Sequence, residues 1–233
     1  MDYRDRHVVV TGGTGALGTA VVGALLEAGA VCHVPYRSES EAKRFPHAEN
    51  KKVSLVAVRD LIDEAAVADF YGALDRLWAS IHIAGGFAFA PIAQSDKSLL
   101  LSQLNANLVS AYLCSRAAVA AFERTGAGGR IVNVAARQAL EPRLGAGLTA
   151  YAVAKAGVVA LTMALGEEVA KDDVLVNAVA PSIMDTPANR RAMPKANFEA
   201  WPKVEEVAAA IMFLASPQNK VTRGAIVPVY GKF

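Results

Sequence analysis

The sequence has little cysteine and little net charge. Its two cysteines, Cys32 and Cys114, fall in apolar segments, so we expect buried thiols in a reducing compartment and no disulfide framework. The net charge is +2 and the Lys and Arg residues are dispersed, which argues against a nucleic-acid or membrane partner. The first residues do not form a signal peptide, and no charge-free run of membrane-spanning length occurs. We therefore expect a cytoplasmic protein.

Linkers, repeats and metal-ligand spacings are also missing. No Pro-, Gly- or Ser-rich tract interrupts the 233 residues, 53% of which are hydrophobic, so the chain is long and apolar enough to bury a large core. This predicts a single domain over residues 1–233. The four histidines are scattered without the spacing of metal ligands, so no metal site is predicted.

Short apolar runs alternate with longer helical patterns along the chain. The runs lie at residues 8–10, 31–35, 53–58, 81–84, 130–134, 174–178 and 225–229. The alternation predicts an α/β fold, a doubly wound parallel sheet (Rossmann fold) of about seven strands with helices on both faces. Two predicted helices, 99–122 and 149–171, are long and rich in alanine; each is either an oligomer surface or a helix buried by its own sheet.

A glycine-rich turn follows the first apolar run. It reads Thr11-Gly12-Gly13-Thr14-Gly15-Ala16-Leu17-Gly18, and a helical pattern closed by Gly29 comes next. Strand, turn and helix in this order place backbone N–H groups and a helix N-terminus against a pyrophosphate. Glycines are required because a Cβ would hold the phosphate away. The segment predicts a dinucleotide site.

Tyr151 and Lys155 lie four residues apart, whereas residues 131–148 contain no serine. On a helix, positions i and i+4 share a face, so the ammonium is expected to lower the pKa of the phenol. Such a tyrosine would donate a proton near neutral pH. The alternative is a surface Tyr/Lys pair on an amphipathic helix.

Together these motifs resemble the short-chain dehydrogenase/reductase superfamily over nearly the whole chain. The resemblance adds Ala84-Gly85-Gly86 after the fourth run, Asn107 in a long helix and the segment 177–181. It implies that Tyr151, Lys155 and Asn107 are catalytic, with Asn107 holding a water in a proton relay from Lys155 or, alternatively, capping a helix kink. The cofactor-binding residues that it implies are Gly12, Thr14, Gly15, Ala16, Leu17, Gly18, Tyr36, Arg37, Asp60, Leu61, Ala84, Gly85, Gly86, Tyr151, Lys155, Pro181, Ile183 and Thr186.

One departure from the family pattern concerns the usual catalytic serine. Motif alignment places Ala136 at its position, and counting back from Tyr151 places Gln138 there. Neither residue acts as the serine does, and a lost oxyanion donor costs on the order of 3 kcal/mol in transition-state stabilisation. An ordinary ketone reductase is therefore disfavoured.

Within the superfamily, the chain is similar to dihydropteridine reductase, which lacks that serine. The similarity rests on the glycine turn, on Gly86-Phe87, on the alanine-rich segment before Tyr151 and on the long loop 184–201. It implies reduction of a quinonoid dihydropterin, a small conjugated substrate that needs protonation more than carbonyl polarisation. The implied substrate contacts are Phe87, Gln138, Met193 and Trp201.

The cofactor preference depends on the end of the second run, where the resembled family carries Asp and binds NADH. This chain has Tyr36 and Arg37 there. An arginine pairs with a 2′-phosphate, and no carboxylate is present to repel it, so NADP(H) is favoured over NAD(H). Alternatively, Arg37 stacks on the adenine or faces solvent.

The sequence is also compatible with two other functions, and it predicts an oligomer. The first is a carbonyl reductase or alcohol dehydrogenase in which Gln138 or Thr149 polarises the substrate. The second is a catalytically silent NADP-binding sensor. A homodimer or homotetramer through the two long helices is expected.

Overall fold

The computed structural model describes residues 1–232. One sheet of seven strands has the order β3-β2-β1-β4-β5-β6-β7, and neighbouring strands run parallel, which confirms the predicted doubly wound α/β fold. The strands are β1 (His7–Thr11), β2 (Val31–Tyr36), β3 (Val53–Ala57), β4 (Ala79–His82), β5 (Gly129–Val134), β6 (Val174–Pro181) and β7 (Ile226–Val229).

Helices alternate with these strands. They are α1 (Ala16–Glu27), α2 (Glu39–Arg44), α3 (Glu64–Gly72), α4 (Lys97–Leu104), α5 (Ser110–Thr125), α6 (Arg137–Leu140), α7 (Thr149–Glu168), α8 (Pro187–Ala192) and α9 (Val204–Ala215). A π-helical turn, Asn105–Val109, joins α4 to α5, so the predicted helix 99–122 is one segment with a local widening. Short 3₁₀ turns occupy Ile92–Gln94, Pro142–Gly145, Ala170–Asp172 and Phe198–Ala200.

The sheet is covered on both faces because successive side chains of each strand point to opposite sides. Val8 and Val10 of β1 pack in the apolar cluster that contains Val21 of α1 and Ile211 of α9. Val9 packs in the cluster that contains helices α3 and α5. Cys32 belongs to the first cluster and Cys114 to the second; both are buried free thiols, as predicted.

Helix α7 is the longest helix of the described residues. By length and composition it is apolar enough to cross a membrane, with a mean hydropathy of 1.4 over its window, but it contains Lys155 and is therefore not a charge-free run. Its buried residues include Val158, which packs with Ala180 of β6, and also Lys155. These contacts are those of a helix that covers the sheet.

Buried histidines give the core a polar component. Burial lowers the pKa of His82, at the end of β4, to about 4, and burial with the adjacent His7 lowers the pKa of His33 on β2 to about 4. The rings of His7 and His33 stack, with Nδ1 of His7 lying 3.0 Å from Nε2 of His33. His33 and His82 are therefore neutral in the folded protein near neutral pH.

The free energy of unfolding is expected to fall as the pH is lowered from about 6.5 toward 4, because the unfolded chain takes up protons in this range before folded His33 and His82 do. The stabilisation is fully present above the unfolded pKa. For His82 alone, the loss is on the order of 3 kcal/mol. Urea unfolding across this pH range measures it, with His82→Asn for comparison. If the free energy of unfolding had the same pH dependence in the wild type and in His82→Asn, the lowered pKa of His82 would be contradicted.

Candidate active site

A cleft of about 900 Å³ opens at the carboxyl ends of the strands. It lies between β1 and β4, where the connection after β1 runs to β2 on one side and the connection after β3 crosses to β4 on the other, the position at which doubly wound sheets bind ligands. The predicted cofactor residues that line it are Gly12, Thr14, Gly15, Ala16, Leu17, Gly18, Arg37, Asp60, Leu61, Ala84 and Gly85. The remaining predicted residues lie outside these walls.

The glycine turn between β1 and α1 forms a tight cradle. Gly12 has φ of +67°, a conformation that glycine adopts without strain. A Cβ on Gly18 would lie 2.1 Å from the carbonyl oxygen of Gly12, so only glycine allows this packing of helix against turn. Among the described residues, no side chain caps the N-terminus of α1. This turn fits a pyrophosphate, as the sequence predicts.

Lys155 projects from α7 into the protein interior and is buried. Its Nζ donates a hydrogen bond of 2.7 Å to the carbonyl oxygen of Val134, the last residue of β5. Burial lowers the pKa of Lys155 to about 8 because desolvation disfavours the ammonium. A Cβ on Gly85 would lie 3.6 Å from this Nζ, so the loop after β4 closes over the lysine.

Tyr151 lies one turn before Lys155 on the same helix, and its ring centroid is 5.9 Å from Nζ. Burial raises the pKa of Tyr151 to about 12. The expectation that the ammonium lowers this pKa is therefore wrong for this arrangement, because Nζ is engaged by Val134 and desolvation of the phenolate dominates. The phenol is fully protonated at neutral pH.

Asn107 sits in the π-helical turn and is buried. Its Nδ2 donates to the carbonyl oxygens of Gly86, at 2.9 Å, and Gln103, at 3.0 Å, while its Oδ1 accepts from the Gly86 N–H at 3.2 Å. One Nδ2 proton thus links the helix to the loop after β4, and the other is used within the helical segment itself. The proton relay through Asn107 stays a prediction.

The two residues that the sequence analysis places at the usual serine position, Ala136 and Gln138, lie just after β5. Ala135 and Ala136 follow β5 directly, and both are buried. Gln138 lies half-buried in α6. Phe87, by contrast, is 64% exposed, and its ring meets that of Tyr151 edge to face at a centroid distance of 5.2 Å.

The end of β2 contains charges that the sequence analysis overlooked. Tyr36 turns away from the cleft and donates to Oε1 of Glu39 at 2.9 Å. Arg37 is 78% exposed, and its Nη2 lies 3.6 Å from Oε1 of Glu41, which also lines the cleft. The expectation that no carboxylate is present to oppose a phosphate is therefore wrong. The pairing follows the i, i+4 spacing of the two residues and was visible in the sequence.

None of the three predicted cofactor residues at the end of β6 and in the loop after it lines the cleft. Pro181 ends β6 and is buried, Ile183 is half-buried, and Thr186 caps α8 by accepting from the Asn189 N–H at 3.2 Å. Met184, which was not predicted, lines the cleft.

The two loop residues with a predicted substrate role lie farther along this loop. Met193 is half-buried at the end of α8. Trp201 is buried, with its ring packed against Phe198 at a centroid distance of 5.0 Å. A tryptophan packed in this way supports the loop, and its contact with substrate stays a prediction.

Comparison with known proteins supplies the family. The family model for short chain dehydrogenases matches residues 6–197. The chain belongs to the short-chain dehydrogenase/reductase family. It is accordingly an NAD(P)-dependent oxidoreductase that acts on a small molecule.

Individual relatives of this short-chain dehydrogenase have varied substrates. Galactitol 2-dehydrogenase of Rhizobium johnstonii is 33% identical, with 97% of this chain and 94% of the relative covered. The 3-oxoacyl-[acyl-carrier-protein] reductase of Vibrio harveyi is 30% identical, with 99% and 98% covered. The NADP-bound structure of ElxO superposes with a TM-score of 0.88 at 22% identity over 97% of this chain and 98% of ElxO, which supports the fold. These relatives do not point specifically to dihydropteridine reductase.

Proposed function

We propose that this oxidoreductase reduces a quinonoid dihydropterin, or a similarly conjugated small molecule, by hydride transfer without the usual catalytic serine. The observation that carries the proposal is the presence of buried apolar side chains, Ala135 and Ala136, after β5 together with Tyr151 and Lys155 on α7. A ketone needs a hydrogen-bond donor where negative charge develops on its oxygen. A conjugated imine system places less demand on such a donor and requires a proton.

Aromatic side chains beside Tyr151 support a planar substrate. Phe87 stands edge to face with Tyr151, and Phe89, two residues on, is 67% exposed. Exposed phenylalanines next to a reactive group are costly in water unless a ligand covers them. Their ring edges and faces suit stacking against a flat conjugated ring system.

Tyr151 and Lys155 have different roles in the proposed reaction. The protonated phenol of Tyr151 is the acid in the direction of reduction, and its raised pKa keeps the proton in place until substrate approaches. Lys155, held by Val134, provides a positive charge and two remaining N–H donors for the hydroxyl groups of a bound ribose. The nicotinamide, when bound, supplies the hydride.

NADP(H) is the favoured cofactor and NAD(H) the alternative. Arg37 is exposed at the cleft and is suited to a 2′-phosphate. ElxO, which shares the fold, has been crystallised with NADP. Glu41 acts in the opposite sense, since its carboxylate repels a phosphate and accepts hydrogen bonds from ribose hydroxyls. The preference for NADP(H) is therefore expected to be moderate.

A second candidate is a carbonyl reductase or alcohol dehydrogenase. The names of the relatives favour it, because galactitol 2-dehydrogenase and 3-oxoacyl-[acyl-carrier-protein] reductase act at hydroxyl or keto carbons. Gln138 or Thr149 would then polarise the substrate oxygen.

We also propose that the chain is one domain, acts in the cytoplasm and assembles as a homodimer or homotetramer. The long helices α5 and α7 expose Tyr112, Val153 and Met163, apolar side chains that a second copy would cover.

Oxidation of NADPH and NADH with chemically generated quinonoid dihydropterin, beside quinones and simple ketones, tests the function. We expect turnover of the pterin or of another conjugated acceptor and little turnover of ketones, because the oxyanion donor is missing. Rapid ketone turnover with an inert pterin would favour the carbonyl reductase instead.

Tyr151→Phe should lower kcat by about 100-fold or more, because the proton donor is lost while the ring and its packing on Phe87 remain. The Kd for NADPH, measured by fluorescence titration, should change by less than about threefold. An equal loss of turnover and of cofactor affinity would contradict the assignment of Tyr151 as the acid.

Glu41→Gln should tighten NADPH binding roughly fivefold, because the repelling charge is removed and Arg37 is released. Arg37→Gln should weaken NADPH binding roughly tenfold and leave NADH binding nearly unchanged. Glu39→Gln is the matched control, since Glu39 bonds Tyr36 and lies outside the cleft walls. Identical effects of Glu41→Gln and Glu39→Gln on the ratio of the two Kd values would count against this role of Glu41.

A further inference from the structure

A chain of buried polar side chains crosses the core beneath the cofactor cleft. Oγ of Ser80 lies 2.7 Å from the Tyr71 hydroxyl and 2.8 Å from Nε2 of His82. Nδ1 of His82 lies 2.8 Å from Oδ1 of Asn133, whose Nδ2 lies 3.0 Å from Oγ1 of Thr162. All five side chains are buried, and His82 is only 3% exposed.

The directions of the hydrogen bonds between Thr162, Asn133 and His82 follow from Thr162, the last side chain of the series. Oγ1 of Thr162 donates to the carbonyl oxygen of Val158 at 2.7 Å, and a carbonyl only accepts. Thr162 therefore accepts from Nδ2 of Asn133, which leaves Oδ1, an acceptor, facing His82. Nδ1 of His82 must carry the proton.

The other ring nitrogen is then fixed as well. Since the imidazole is neutral, Nε2 is an acceptor and takes the hydrogen of the Ser80 hydroxyl, and the Tyr71 hydroxyl donates to Ser80. Ser115 lies 3.4 Å from Nδ1 and is the weaker neighbour. If Ser115 donated to an unprotonated Nδ1, two acceptors would face each other at 2.8 Å, which is unfavourable.

This series of hydrogen-bonded side chains links β4, β5 and α7, the elements next to the cleft and Lys155. His82 ends β4 and is followed directly by residues 83–86, of which Ile83, Ala84 and Gly85 line the cleft. Asn133 immediately precedes Val134, whose carbonyl oxygen accepts from Lys155. Thr162 and Val158 belong to α7, the helix that carries Lys155.

We propose that His82 is a positioning residue: its Nδ1–H bond to Asn133 fixes the Val134 carbonyl, and through it the ammonium of Lys155, in the orientation that binds the cofactor. This inference rests on the proposed cofactor-binding site and does not depend on whether the substrate is a pterin. A side chain that only fills the core would need neither a particular tautomer nor this partner.

Long-range proton–nitrogen correlation NMR on protein labelled with ¹⁵N-histidine tests the tautomer near pH 7. The resonances of His82 are those absent from His82→Asn. We expect a protonated Nδ1 and an unprotonated Nε2. The opposite tautomer would overturn the proposal.

Two substitutions separate the links made by the ring. The side-chain nitrogen of asparagine overlays Nδ1 and retains the donor to Asn133, whereas glutamine reaches the position of Nε2 and retains only the partner of Ser80. We expect His82→Asn to keep the Kd for NADPH within about twofold of the wild type and His82→Gln to weaken it about fivefold or more. Ser115→Ala, beside the same nitrogen, should leave the Kd unchanged.

The thermal midpoint of each variant distinguishes positioning from packing. Glutamine fills more of the imidazole volume than asparagine. If His82 only filled the core, His82→Gln would therefore lose less affinity for NADPH than His82→Asn. Affinities that follow side-chain volume, or that fall only in proportion to the thermal midpoint, would overturn the proposal. A lower thermal midpoint for His82→Asn with retained affinity for NADPH would support it.

Discussion

The hydrogen bond from Lys155 to the carbonyl oxygen of Val134 is the interaction on which the site depends. An ammonium that is removed from water must be paired with acceptors, and this carbonyl, at the end of β5, is the one that the fold provides. The bond ties α7 to the central sheet at the edge where the cleft opens. Gly85, beside this bond, makes room for Asn107, since a Cβ there would lie 2.7 Å from Oδ1 of Asn107, whereas its distance of 3.6 Å from Nζ of Lys155 is an ordinary contact. The glycine after β4 is thus a requirement of the neighbouring Asn107 side chain.

Burial sets the electrostatics of the reactive pair in opposite directions. It raises the pKa of the Tyr151 phenol and lowers that of the Lys155 ammonium, because each group loses the hydration of its charged form. The protonated phenol is consistent with the proposed reduction, for which Tyr151 must start with its proton. It also places the lysine near its titration point at neutral pH, so the partners of Nζ decide whether its charge persists.

The sequence was sufficient for the parts of the molecule that are locally encoded. The β-branched runs predicted the seven strands, because two buried faces leave little room for polar residues. The glycine turn was recognisable because its backbone geometry excludes side chains. The Val134 carbonyl, the clamp of Asn107 on Gly86 and the burial of Trp201 were not, since each depends on contacts between residues distant in sequence. The predicted direction of the pKa shift of Tyr151 was wrong for a related reason. Sequence spacing shows which charged groups are close to the phenol, but it does not show how far the phenol is shielded from water.

The proposed absence of the usual catalytic serine is compatible with the presence of Tyr151 because different parts of the fold hold the two positions. Tyr151 is placed by α7 and its packing on Phe87, whereas the serine position belongs to the segment after β5, where Ala135 and Ala136 are buried. Replacing a hydroxyl by methyl groups there removes a donor without disturbing Lys155, whose acceptor is a backbone atom. Because a backbone carbonyl holds Lys155, its position does not depend on the side chains of this segment, which is compatible with the proposed substrate that needs a proton donor and no carbonyl-polarising group.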